Sequence, residues 1–238
     1  MSERRILITD LNDTYPQDMQ SLIKSSAGDA DVVRLSMRDI SGKDMYCSDE
    51  AYGEIRRRLS EYDHPERGIH FIDTGNYHYM SRIFTSFIDE QYDLVLMDNH
   101  TDMQDTAFGN ILSCGSWAGE VKRNDDNLRK LILIGPSEIP DGAEEMSDHE
   151  CDDVPVYLSI DKDILSTGEC VTNWDQGNKS LDELTCLISK VTKGRRMIGA
   201  DICGGLSVSD PGWTEQIRLD NTASDISIMN KLYELIFS

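Results

Sequence analysis

Seven short runs of apolar, β-forming residues recur along the chain, separated by longer stretches with helical spacing. No other feature restricts the fold as much. The runs are Ile6–Ile8, Val32–Leu35, Ile69–Ile72, Leu94–Met97, Leu131–Ile134, Val156–Ile160 and Met197–Gly199. They are apolar at consecutive positions, so each needs cover on both faces. Candidate helices lie at Asp18–Lys24, Asp49–Tyr62, Met80–Glu90, Ser116–Arg123 and Leu181–Lys193, with a last one from about Thr222 to Phe237. Ser180 followed by Glu183 is a capping box that starts the fifth. This alternation predicts an α/β fold: a single doubly wound domain over residues 1–238, with a central parallel sheet flanked by helices. The acidic stretch Pro136–Pro155 reads as a surface excursion.

Charge narrows the partners. With 23 Lys+Arg against 44 Asp+Glu, the formal net charge is −21. That argues against nucleic acid and anionic membrane, which need a basic footprint. The acid is spread between apolar runs, so a folded domain is expected. There is no apolar run of transmembrane length, and MSERRILITD has no secretory pattern. The six cysteines, Cys47, Cys114, Cys151, Cys170, Cys186 and Cys203, form no CxxC pair and read as cytosolic thiols. A cytoplasmic location follows as the expectation, and a homo-oligomer stays open.

In parallel α/β sheets, ligands sit beyond the carboxyl ends of the strands. Four predicted strand ends carry Asp or His: Asp73 to His78, Asp98-Asn99-His100-Thr101-Asp102, Asp161-Lys162-Asp163, and Ala200-Asp201 onward. The chain holds 29 aspartates, so an Asp-x-Asp pair means little alone. Asp-x-His-x-Asp is rarer. A carboxylate at the end of an apolar strand is half buried and needs a partner. Alternate residues in extended backbone point the same way. Asp98, His100 and Asp102 then converge, as do Asp161 and Asp163, and His78 adds a second imidazole. Four carboxylates and two imidazoles suit two divalent cations of the manganese class better than one zinc.

The same segments resemble the signatures of the arginase–agmatinase–formiminoglutamase (ureohydrolase) family. Asp98-Asn99-His100-Thr101-Asp102 is similar to its Asp-Ala-His-x-Asp. Ser159-Ile160-Asp161-Lys162-Asp163 is similar to the start of its Ser-x-Asp-x-Asp-x-x-Asp-Pro. Gly75-Asn76-Tyr77-His78-Tyr79 is similar to its Gly-Gly-Asp-His-Ser. The resemblance runs from about Ile69 to Gly205 and implies two Mn2+ ions per chain. One would take His78, Asp98, Asp102 and Asp161, and the other Asp98, His100, Asp161 and Asp163, with Asp98 and Asp161 bridging. It implies hydrolysis of a non-peptide C–N bond in a small amidine or guanidino substrate.

The departures bear on the substrate. Ser166-Thr167 stands where the family has a trailing Asp-Pro, and Asn76-Tyr77 where it has Gly-Asp. Cys114 stands at the position of the proton-shuttling His and is carried, with Asp102, as a catalytic candidate. Gly204 stands where the family's Glu grips the guanidinium, which points away from free arginine. Asp201, Trp174 and Asp175 are the candidates for substrate contact, with Gln176 beside them and Trp117 as a second aromatic wall. His64, His70 and His149 belong to no constellation. Two alternatives stay open: a deacetylase-like metal amidohydrolase, and a catalytically silent metal-binding protein of the same fold.

Overall fold

The computed structural model describes residues 4–106, 111–146 and 153–237. In chain order the elements are β1 (Arg5–Asp10), α1 (Met19–Ala27), β2 (Asp31–Ser36), β3 (Tyr46–Cys47), α2 (Asp49–Leu59), β4 (Gly68–Ile72), α3 (Met80–Thr85) and β5 (Tyr92–Met97). There follow β6 (Leu112–Ser113), α4 (Trp117–Asn124), β7 (Leu128–Ile134), β8 (Glu144–Glu145), β9 (Val156–Asp161), α5 (Leu181–Thr192), β10 (Met197–Cys203) and α6 (Glu215–Ile236). Eight strands form one sheet in the order β2-β1-β4-β10-β9-β5-β7-β8, and each neighbouring pair is parallel. The expected α/β architecture is therefore present.

Strand periodicity sorts the core into two layers. Ile6, Ile8, Val95, Met97, Leu158 and Ile160 pack on one face, where α1, α5 and α6 bring Ile23, Leu184, Ile188, Ile228 and Leu232. Leu7, Leu94, Leu96 and Tyr157 pack on the other, against Ile55, Ile83, Phe84, Trp117 and Val121 of α2, α3 and α4. Side chains alternate between faces with a period of two, so a run that is apolar throughout specifies cover on both sides. Caps fix the helix starts. Ser48 accepts from the Ala51 N–H, Thr214 accepts from the Ile217 N–H, and Ser180 with Glu183 completes the capping box on α5.

Several elements differ from the expectation. β10 continues to Cys203, which places Asp201 inside the strand. α6 begins at Glu215, seven residues before the apolar periodicity shows itself, because its polar first turns dock through Asn221. The Asn221 side chain accepts from Val171 N–H and donates to Val171 C=O, each at 2.8 Å. α3 stops at Thr85, and its continuation tightens into i→i−3 bonds from Phe87 and Ile88. The described part of the acidic excursion adds β8 to the sheet edge, and β3 pairs antiparallel with β6 in a separate two-stranded ladder. No helix among the described residues is long and apolar enough to cross a membrane. His149 and Cys151 lie outside the described residues.

Candidate metal centre

The sheet order brings the three expected segments to one edge. Asp98 lies one residue past β5, Asp161 closes β9, and Asp163 follows in a 3-10 turn. His78 follows β4 after a short 3-10 turn over Gly75–Tyr77. Asp102 sits in left-handed backbone at φ 48°, which folds the segment after β5 back toward His78. Aspartate tolerates that region better than most residues.

The side chains meet in two groups that share Asp98. His78 Nδ1 stands 3.2 Å from Asp98 Oδ2 and 2.9 Å from Asp102 Oδ2. His100 Nδ1 stands 3.4 Å from Asp98 Oδ1 and 2.8 Å from Asp163 Oδ2. The two oxygens of Asp98 thus face different histidines. Asp161 Oδ2 lies 3.6 Å from His78 Nδ1, and its Oδ1 accepts from the Asp163 N–H at 2.9 Å. All six expected ligands are therefore neighbours.

The donor set fits divalent cations. Ligand atoms about 2.1 Å from one octahedral ion stand roughly 3 Å apart, the spacing seen within each group. Both histidines present Nδ1. His78 Nε2 faces Ser159 Oγ at 2.9 Å, and that hydroxyl donates to Asp201 Oδ1 at 2.7 Å. A partner on the far nitrogen fixes the tautomer that leaves Nδ1 free to ligate. The electrostatics also call for positive charge. Burial, then the charges of Asp163 and Asp98, pushes the Asp161 carboxyl well above its ordinary range. Burial and Asp98 raise Asp163 to about 6. The hydrogen bond to Asp163, then that to Asp98, lifts His100 to about 11. Burial alone would lower His78, but Asp102 and Asp98 outweigh it and hold the imidazole well above its ordinary value. Without a metal, the two histidines are the local counter-charge.

A cavity of about 170 Å³ opens onto this centre. His78, His100 and the four carboxylates form its floor, and Met45, Tyr46, Gln104, Ser113, Cys114 and Trp174 stand around it. Cys114 is buried at the wall, where burial and then the Asp102 charge push its thiol up to about 12. Trp174 is partly exposed at the mouth, its indole N–H donating to Asn76 Oδ1 at 3.1 Å.

Four expectations about contact change. Asp201 does not face the cavity: it is fully buried in β10 behind His78 and Ser159, which removes it from substrate contact. Asp175 is exposed and does not line the cavity. Its backbone carbonyl accepts from Asn99 Nδ2 at 3.0 Å. The Gln176 amide is spent on the loop itself, donating to the Leu165 and Cys170 carbonyls. Trp117 is fully buried beneath the site and donates its indole N–H to Asp102 Oδ2 at 2.6 Å.

Lys162 and Cys203 join the surroundings of the site without having been singled out in the sequence. Lys162 points away from the aspartates on either side of it and pairs at 2.5 Å with Asp225 of α6, both buried. Cys203 Sγ lies within 4.8 Å of ligand atoms of His78 and Asp161, but its thiol faces the Ile72 and Thr74 carbonyls. Gly204 has φ 93°, and a Cβ there would stand 2.5 Å from Asp161 Oδ1. That strand end has no room for an acidic side chain.

No protein-family model matches the sequence. An uncharacterized protein of Thermotoga maritima is 32% identical over 146 residues, a match covering 58% of this chain and 58% of that protein. Solved structures align over nearly the whole chain. Proclavaminate amidino hydrolase from Streptomyces clavuligerus superposes with a TM-score of 0.69 at 13% identity, covering 98% of this chain and 92% of that one. Formimidoylglutamase from Bacillus subtilis gives 0.67 at 12% identity, covering 99% and 89%. Entamoeba histolytica arginase, in complex with L-ornithine, gives 0.62 at 14%, covering 97% and 98%. At such identities the likeness is one of architecture: this chain has the arginase-like α/β fold that its strand-end motifs imply.

Proposed function

We propose that this chain is a metal-dependent hydrolase of a non-peptide C–N bond. It holds two divalent cations of the manganese class and acts on a small amidine or guanidino compound other than free arginine. The observation that carries this reading is Asp98, whose two oxygens face two separate histidine–carboxylate groups on one cavity floor. The neighbours of like fold are named for amidino and formimidoyl hydrolysis, which is the same bond class.

His78, Asp98, Asp102 and Asp161 would hold one ion, and Asp98, His100, Asp161 and Asp163 the other. When bound, the pair supplies Lewis-acid activation of water and charge stabilisation at the scissile carbon. The chain's own groups do the rest. Asp201 and Ser159 orient the His78 ring through Nε2. Trp117 fixes Asp102 through Oδ2. Cys114 stands in the cavity wall, where burial disfavours the thiolate.

Gly204 argues against arginine. Losing a buried charged partner for a guanidinium costs ~2–5 kcal/mol, or roughly 30- to several-thousand-fold. The test is an ammonia- and urea-release screen of manganese-loaded protein over guanidines, formimino compounds and acyl amides. We expect release from a compound in this panel, with arginine at least about 30-fold slower. Silence across the panel with both ions bound would overturn the hydrolase reading in favour of a silent metal-binding protein.

A further inference from the structure

Charge and shape around the cavity restrict its occupant beyond the bond class. Among the described residues, only neutral side chains stand around the proposed ligands, and no Lys or Arg lines the cavity. A carboxylate entering this pocket would leave water without gaining a cationic side chain as partner, which is unfavourable. It would also approach a chain of net charge −21.

The mouth is apolar and held in place. Six large hydrophobic side chains are exposed among the described residues, and three of them, Met45, Tyr46 and Trp174, surround this one opening. Single exposed hydrophobes are ordinary, but a cluster at a cavity marks a binding surface. Trp174 is pinned through Asn76, whose amide donates to Asp44 Oδ1 at 3.0 Å. Gly75 makes room for the indole, since a Cβ there would lie 2.5 Å from Trp174 Cδ1. Met45 is held in left-handed backbone at φ 58°, with its carbonyl accepting from the Cys114 N–H at 2.9 Å. Tyr46 is paired with Ser113 in the short ladder. Strained backbone in a bulky residue persists only where its surroundings enforce it, and it clusters at ligand sites.

The volume sets the size. A protein cavity of about 150 Å³ accepts a benzene ring, and this one is about 170 Å³. We infer that the substrate carries no negative charge and places a flat, apolar group of single-ring size against Trp174, Tyr46 and Met45, beside the scissile C–N bond. This rests on the hydrolase reading for the bond, but the preference for an uncharged apolar body is a property of the walls.

Calorimetric titration of the manganese-loaded protein tests it with four probes: benzamidine, benzamide, 4-amidinobenzoate and L-arginine. Benzamidine or benzamide is expected to bind at least tenfold more tightly than the carboxylated ring or arginine. Trp174→Ala should weaken that binding about five- to tenfold with metal content unchanged, and Trp174→Phe should retain it. Equal affinity for 4-amidinobenzoate, no binding of either uncarboxylated ring, or indifference to Trp174→Ala would overturn the inference. Ammonia release from the same probes is read separately. Ring-selective binding without any release leaves the ligand class standing and counts against the hydrolase. Equal turnover of 4-amidinobenzoate and benzamidine keeps the hydrolase and overturns the class.

Discussion

Ser159 and His70 are two buried residues of the central strands with opposite relations to the site. Ser159 accepts from His78 and donates to Asp201, so it sets which ring nitrogen of His78 faces the carboxylates. Outer partners of this kind typically contribute 10- to 100-fold in metal affinity. Ser159→Ala should therefore weaken metal binding by about that factor while the far-ultraviolet circular dichroism stays native; unchanged affinity in a chelator competition would show that Ser159 only fills space. His70 lies away from the cavity, stacked on Phe84 at 4.0 Å, with Nδ1 3.1 Å from the Tyr157 hydroxyl. Burial depresses its pKa from 6.5 to about 3. The unfolded chain therefore takes the proton first. The stability His70 contributes is complete above pH 6.5 and is lost as pH falls toward 3. In urea titrations of metal-free protein, His70→Gln should lose stability less steeply than wild type over that interval. Equal slopes would mean that His70 titrates normally in the fold.

At the scale of elements, α6 is tied to the metal strand. Lys162 stands between two proposed ligands, Asp161 and Asp163, and pairs with Asp225. Removing one partner of a buried pair leaves an uncompensated charge and costs ~3–5 kcal/mol. Asp225→Ala should lower unfolding stability by about that amount, and Lys162→Met combined with Asp225→Leu should recover most of it; a single variant within about 1 kcal/mol of wild type would contradict the coupling. Such a tie was not legible in the sequence, because it joins residues 63 positions apart and neither carries a motif. The strands were legible, because runs buried on both faces leave a continuous apolar signal. The ligands were legible for a related reason. Polar residues directly after such a run stand out, and the parallel topology sends all of those ends to one edge. Asp201 was misplaced by the same logic. Gly199 and Asp201 interrupt the apolar run, so the strand seemed to end four residues before Cys203. Of the mouth, Trp174 was legible but its partners were not: Tyr46 and Ser113 belong to a ladder of two residues per strand, too short to leave a period, and Met45 directly precedes it.

For the whole molecule, metal is part of the proposed native state. Four carboxylates share one cavity floor, and burial resists the ionisation of Asp161 and Asp163. A divalent cation that binds the folded chain alone stabilises it by mass action. Melting temperature should therefore rise on adding Mn2+ to chelator-treated protein. The most direct measurement is the metal content of purified, manganese-loaded and desalted protein, compared with Asp98→Ala, Asp161→Ala and Asp175→Ala. Two ions per chain in the wild type and in Asp175→Ala, with both ions lost from Asp98→Ala and from Asp161→Ala, is the predicted result. Wild-type metal content in the Asp98 and Asp161 variants, or no more than one ion in the wild type at saturating manganese, would contradict a two-ion centre built on shared carboxylates.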